Sequence, residues 1–341
     1  MNSYIISKTG ITQFLDKLLS TFRVIAPIFN EGNSNFAEVK SGAEVNLSPK
    51  NTKFSPKGIF FPKTEVLINY KKNLDGSESM EVPAQRDKQI LFGVRPCDVK
   101  SFTLLDKVFA DKMYNDVYYQ EKRKNSIIIA LVCPEVKSSC FCTSVGISPF
   151  SKEGSDLFMV ELGERYLVEI VSEKGMELVT DLEGYPEASD ADKKKVQELG
   201  SQRESEVKRL EWIEGCKEKL NGFFDNPYWE KVYEKCLGCA ACTFFCPTCH
   251  CFDIQDEKGK DGGQRIRLWD TCMFSLFTKE TSGHNPRHSG KERIRQRVMH
   301  KFNYFLKNYG DVACVGCGRC VQECPVNMDV REILGQIVKL T

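Results

Sequence analysis

Apolar residues recur at helical spacing near the start of the chain, at Ile11, Phe14, Leu15, Leu18, Leu19 and Phe22, and predict an opening amphipathic helix. Short β-branched and aromatic runs follow and predict strands over residues 23–27, 58–62, 65–70, 89–94 and 126–132. Between the last two, Phe102, Leu105, Val108 and Phe109 place one apolar face on a helix over residues 98–110. Strand, helix and strand in that order predict an α/β unit. Residues 156–162 and 165–171 predict a hairpin turned at Gly163-Glu164. The pattern then changes. Residues from about 190 to 220 are densely charged and read as an exposed helix or helix pair acting as a spacer. A last helix is expected over residues 290–306.

At 341 residues the chain is long enough for about two domains with a sizeable core. Lys+Arg number 48 and Asp+Glu 47, so the net charge is +1. That balance supplies no general drive toward nucleic acid or an acidic membrane surface. No stretch approaches the ~18 apolar residues of a membrane helix. The opening MNSYIISKTGITQF lacks a basic stretch followed by an apolar one, so a cytoplasmic location is expected. Cysteine is the outlier. Sixteen cysteines without an export signal point to metal ligation rather than disulfides.

Two runs have identical spacing: Cys236-x2-Cys239-x2-Cys242-x3-Cys246-Pro247 and Cys314-x2-Cys317-x2-Cys320-x3-Cys324-Pro325. This is the bacterial ferredoxin pattern, in which three close cysteines hold one [4Fe–4S] cube and the fourth reaches across to the other. Two-residue gaps wind the backbone around the cube, and the longer gap with its proline sends the fourth cysteine away at a helix start. Cluster A then takes Cys236, Cys239, Cys242 and Cys324, and cluster B takes Cys314, Cys317, Cys320 and Cys246. Gly238, Ala240, Ala241, Gly316 and Gly318 leave room for backbone N–H groups to approach sulfur. Paired C-x2-C zinc sites are the bland alternative, and a duplicated run ending in proline is far more specific than they are. Cys242-x3-Cys246-x2-Cys249 also matches the spacing of radical S-adenosylmethionine enzymes, but two of those cysteines already belong to the ferredoxin run.

The expected fold class is therefore α+β. Residues 1–180 form an α/β domain with a mixed sheet, 181–227 the charged helical spacer, and 228–341 a helical two-cluster ferredoxin-like domain with an insert over 247–313. Eight cysteines lie outside the two runs. Cys97 follows one predicted strand, and Cys133, Cys140 and Cys142 follow the next. Neighbouring strand ends lie close together, so these four could form a third metal site, most simply a third [4Fe–4S] cluster; the alternative is plain packing. Cys249, Cys251 and Cys272 fall in the insert and read as packed near cluster A, while Cys216 reads as incidental. His250, His284, His288 and His300 share the insert without ligand-like spacing. Residues 287–301 are basic; beside a solvated helix face, the sharper reading is that Arg293, Arg295 and Arg297 offset cluster charge or dock a partner. No glycine-rich dinucleotide fingerprint, P-loop or nucleophile–base pair is present, so no catalytic residue is assigned.

The order GVRPCD, C-x6-CFC, CxxCxxCxxxCPTCxC, WDTCM, GHNPR, HKF and CVGCGRCxxxCPV resembles one family over residues from about 90 to 330. It is the family of the iron–sulfur subunit of anaerobic sulfite reductase and the cytosolic sulfhydrogenase beta subunit. The resemblance implies an electron-transfer subunit, non-catalytic itself, within a hetero-oligomer. One partner would bind FAD and NAD(P)H; another, a sulfite reductase, hydrogenase or related oxidoreductase, would do the terminal chemistry. A reductase in its own right, acting on a disulfide or sulfur compound through an open iron or reactive cysteines, is the alternative.

Overall fold

The computed structural model describes residues 3–47, 51–73, 75–83 and 88–340. Its strands are β1 (Ser3–Ser7), β2 (Arg23–Asn30), β3 (Asn33–Glu38), β4 (Thr64–Lys72), β5 (Glu78–Glu81), β6 (Gln89–Val94), β7 (Ser126–Leu131), β8 (Leu157–Glu161), β9 (Arg165–Ile170), β10 (Phe252–Lys258) and β11 (Gly262–Trp269). The fold is α+β.

Seven strands form a mixed sheet in the order β1-β9-β8-β7-β6-β2-β3. Strands β2, β6, β7 and β8 run parallel, and antiparallel partners close both edges. Every residue of β6 (QILFGV) and β7 (SIIIAL) is buried, as central strands covered on both faces require. Helix Lys8–Leu19, capped by the Ser7 hydroxyl accepting from the Gly10 amide, buries Phe14, Leu15 and Leu18 in the core that covers this sheet. Helix Pro96–Phe109 starts directly after β6, with proline in its first turn, and buries Val99, Phe102 and Leu105.

The strand expected over 58–62 is a 3-10 turn, Pro56–Ile59, instead. Ser55 caps it through the Lys57 amide and Pro56 pre-sets its backbone, so Phe60 and Phe61 are buried from a turn rather than from a strand. A second sheet, β10-β11-β4-β5, was not anticipated by periodicity. It joins the early β4–β5 hairpin to strands from the cysteine-rich insert. Arg267 of β11 pairs with Glu65 of β4 and with Asp116, buried beneath this sheet.

Residues 190–206 form one helix, Asp190–Glu206, closed at its start by a Ser189–Asp192 capping box. The helix expected over 290–306 is divided: Gly290–Met299 is α-helical, His300–Tyr304 is a π-helical turn, and Phe305–Tyr309 resumes the α form. Among the described residues no helix is long and apolar enough to cross a membrane.

Candidate iron–sulfur centres

The backbone around each ferredoxin run bends through left-handed residues, Gly238 (φ 67°) and Ala240 (φ 64°) in the first and Gly316 (φ 60°) and Gly318 (φ 73°) in the second. Those bends turn the chain so that successive cysteines face one space. Cys236, Cys239 and Cys242 line one cavity together with Cys324 from the other run. Cys314, Cys317 and Cys320 line a second with Cys246 from the first run. The crossed grouping is the one the spacing predicts. Backbone N–H groups already point at sulfur: Gly238 donates to Cys236 Sγ at 3.4 Å, Gly316 to Cys314 Sγ at 3.5 Å and Met328 to Cys324 Sγ at 3.2 Å.

Cys97, Cys133, Cys140 and Cys142 line a third cavity. Strands β6 and β7 pair in parallel, so their carboxyl ends lie side by side, and Cys97 and Cys133 leave those ends. Cys140 and Cys142 come from the loop after β7, which is tied to the second ferredoxin run. The Phe141 amide donates to the Gly316 carbonyl at 2.8 Å, and Cys140 Sγ lies 3.9 Å from the Cys317 carbonyl. Glycine is required there: a Cβ on Gly316 would stand 2.5 Å from the Cys142 amide, and one on Gly318 2.4 Å from Ser139 Oγ.

The metal-ligating groups that line all three cavities are thiols, set among apolar and cationic side chains, with no carboxylate or imidazole. That donor set suits iron–sulfur cubes and not a hard cation. Loaded cubes would be held by Cys236, Cys239, Cys242 and Cys324 in the first cavity, by Cys246, Cys314, Cys317 and Cys320 in the second and by Cys97, Cys133, Cys140 and Cys142 in the third, and would supply one-electron chemistry.

Burial pushes the thiols up, Cys142 and Cys314 to about 12 and Cys242 to about 11. Buried cations act in the opposite sense. Arg297 lines both the first and second cavities, and its Nη2 lies 3.4 Å from the Cys242 carbonyl. Lys301 Nζ donates to Cys246 Sγ at 3.2 Å, to Thr248 Oγ1 at 2.9 Å and to the Ala313 carbonyl at 2.9 Å. Burial opposes the charge on Lys301, yet the Cys246 and Cys249 sulfurs outweigh it and its pKa is raised. Arg95 lines the third cavity and donates to the Val132 carbonyl at 3.0 Å. Between the second and third cavities, Arg319 makes a two-pronged bond to Asp98, both contacts at 2.7 Å.

A family model described as a 4Fe-4S dicluster domain matches residues 235–328. The chain is also 32% identical, over 332 residues, to sulfhydrogenase 2 subunit beta of Pyrococcus furiosus, covering 95% of each chain. The chain belongs to the sulfhydrogenase beta subunit family. It is an iron–sulfur electron-transfer subunit. No solved structure matches it.

The remaining chemistry of this family member sorts by position. Cys251 and Cys272 hydrogen-bond to each other, which lowers the Cys251 thiol to about 6 and raises Cys272; Cys272 also packs against the core beside Cys236 and Cys242. Cys249 pairs with Cys246. Cys216 is 1% exposed, packed in the same apolar core. His250 and His300 meet edge to face at 5.5 Å, and burial lowers them to about 4 and about 3. His284 and His288 do not join them; the exposed His288 ring instead lies 3.4 Å from Glu292. The basic segment divides as well. Arg297 is buried at the cavities, whereas Arg293 donates to the carbonyls of Arg287 and His288, and Arg295 stacks on Phe224 at 3.6 Å. Sequence reasoning missed Lys301, Arg95 and Arg319. Their signal was present, since each lies within five residues of a cysteine or on the helix face of Arg297, but basic residues so placed are ordinary at a surface.

Proposed function

We propose that this chain is a three-cluster relay in a cytoplasmic hetero-oligomer, passing single electrons between a partner that binds FAD and NAD(P)H and a terminal redox subunit. The observation that carries the proposal is that three cysteine-lined cavities stand in series. Arg297 lines the first and second, and Cys317 lines the second and third. Electrons would move from cluster A through cluster B to the third site or in reverse, with Cys97, Cys133, Cys140 and Cys142 holding the third cube. Cys239 is the exposed cysteine among these ligands, which opens the cluster A end of the series to a partner. Zinc in place of cubes is disfavoured by the ligand pattern. A duplicated four-cysteine run ending in proline, with the fourth cysteine of each run in the other's cavity, is the cube pattern rather than that of paired C-x2-C zinc sites.

Iron and acid-labile sulfide per chain, measured on anaerobically purified protein, test the reading. About twelve irons are expected, falling by about four in the C140S/C142S variant. About eight irons, unchanged in that variant, would reduce the third set to packing; zinc without sulfide would overturn the whole reading.

The depressed Cys251 thiol beside Cys272 favours one second reading, a reductase acting on a disulfide or sulfur compound at that pair. Turnover of such a compound by the isolated chain, lost in C251S, would favour it over the relay.

A further inference from the structure

The helix Gly290–Met299 carries Arg297 inward, and one turn later the π-helical segment His300–Tyr304 carries Lys301 inward as well. Both side chains are charged and buried, at 8% and 4% exposure. Neither has a carboxylate partner at salt-bridge distance among the described residues, unlike Arg319 with Asp98 or Arg267 with Glu65. Instead both face cysteines. Arg297 donates to the Cys242 carbonyl in the first cavity and lines the second beside Cys320. Lys301 touches only the second, through Cys246 Sγ.

The π turn also ties the Lys301 backbone to the second ferredoxin run. The Lys301 carbonyl accepts from the Ala313 amide at 2.8 Å, and Lys301 Nζ returns to the Ala313 carbonyl, next to Cys314. Widened helical turns of this kind occur at functional sites. Thr248, two residues beyond Cys246, donates to that same Ala313 carbonyl at 2.7 Å and stands 3.2 Å from Cys246 Sγ. The ammonium is therefore held by three acceptors in a site closed to solvent, where a charge acts with little screening.

We infer that Arg297 and Lys301 are potential-setting residues of this helix, Arg297 shared by clusters A and B and Lys301 private to cluster B. The inference rests on the two-cluster reading of the ferredoxin runs. A cube held by four thiolates is an anion, and adding an electron makes it more so. A fixed, buried positive charge stabilises the reduced form more than the oxidised one and so raises the midpoint potential. Since the two cations stand one turn apart on one helix, they bias the two clusters unequally by position alone.

The test is an EPR-monitored potentiometric titration of the full chain, with iron and sulfide per chain measured first. K301Q is expected to lower one dicluster wave and leave the other in place; R297Q is expected to lower both. K301R and R297K, which keep the charge, should stay near the parent potentials. R293Q removes the same charge one turn before Arg297 on the same helix, where Arg293 donates to the Arg287 and His288 carbonyls rather than facing a cysteine, and should move neither wave. An unmoved pair of waves in K301Q, equal shifts of both waves in K301Q, or an R293Q shift matching that of K301Q would each overturn the assignment. If R297Q loses iron, R297K decides: parent potentials at full iron uphold a charge role, and iron loss there overturns it. A parent chain holding fewer than about eight irons would instead sink the cluster reading beneath the inference.

Discussion

The Asp98–Arg319 pair allows a quantitative test of how the α/β sheet is locked to the dicluster. Asp98 stands beside Cys97 at the start of helix Pro96–Phe109, and Arg319 lies between Cys317 and Cys320. They are 0% and 2% exposed, joined by two 2.7 Å bonds, and Arg319 also donates to the Thr52 carbonyl at 3.0 Å. In R319L the Asp98 carboxylate would remain buried without its partner, which costs about 3–5 kcal/mol. Unfolding carries about 2.1 cal/mol/K per residue, so 341 residues give about 0.7 kcal/mol/K and a fall in Tm of about 4–7 °C. Removing both charges in D98L/R319L also removes the desolvation cost. The double variant should therefore recover most of that loss, so that it falls short of the two single losses added, about 6–10 kcal/mol, by most of that sum. Anaerobic thermal unfolding of the parent, both single variants and the double variant, with iron per chain alongside, measures the cycle. Losses that simply add in the double variant would refute the claim that this pair acts as one buried unit.

Two further outcomes follow from the same geometry. G316A places a methyl 2.5 Å from the Cys142 amide at a backbone φ of +60°, so it should loosen the 139–142 loop and lower iron by about four per chain; full iron in G316A would refute the close approach. His250 and His300 titrate at about 4 and about 3 in the fold, below the unfolded value of about 6.5. Above pH 6.5 they contribute nothing; as pH falls from about 6.5 toward 4 the unfolded chain alone takes up protons, costing up to about 1.4 kcal/mol per pH unit for each histidine. Unfolding measured from pH 7.5 to 5 should show that slope flattened in H250Q/H300Q, and an unchanged slope would count against buried neutral rings.

Much of this molecule was determined by local sequence. The ferredoxin spacing implied which cysteines would share a cavity, because two-residue gaps and a terminal proline constrain the backbone whatever surrounds it. The largely apolar runs of β6 and β7 marked them as strands, and burial of every residue in both shows them to be central ones covered on both faces. Periodicity did not foretell the β10–β11 hairpin, whose seven β10 residues are all exposed and carry no buried face to mark them. Nor did it separate Arg297 from Arg293 and Arg295: Arg293 and Arg297 are four apart on one helix face, and only the elements packed against each turn decide which of them meets the cysteines.

Lys301 was the hardest to foresee. It points inward from a π-helical turn, and a widened turn shifts the register that simple 3.6-residue counting assumes. The gathering of Cys97, Cys133, Cys140 and Cys142 around one cavity lies between these cases. The chain placed two of them at strand ends, and the parallel pairing of β6 with β7, together with the glycine-lined contact at Gly316, brought the other two across. Sequence thus determined the ligand spacing and the buried strands, which depend on neighbours along the chain. Tertiary structure decided the order of the cavities and the cations between them, because those depend on which distant segments share a low-dielectric interior.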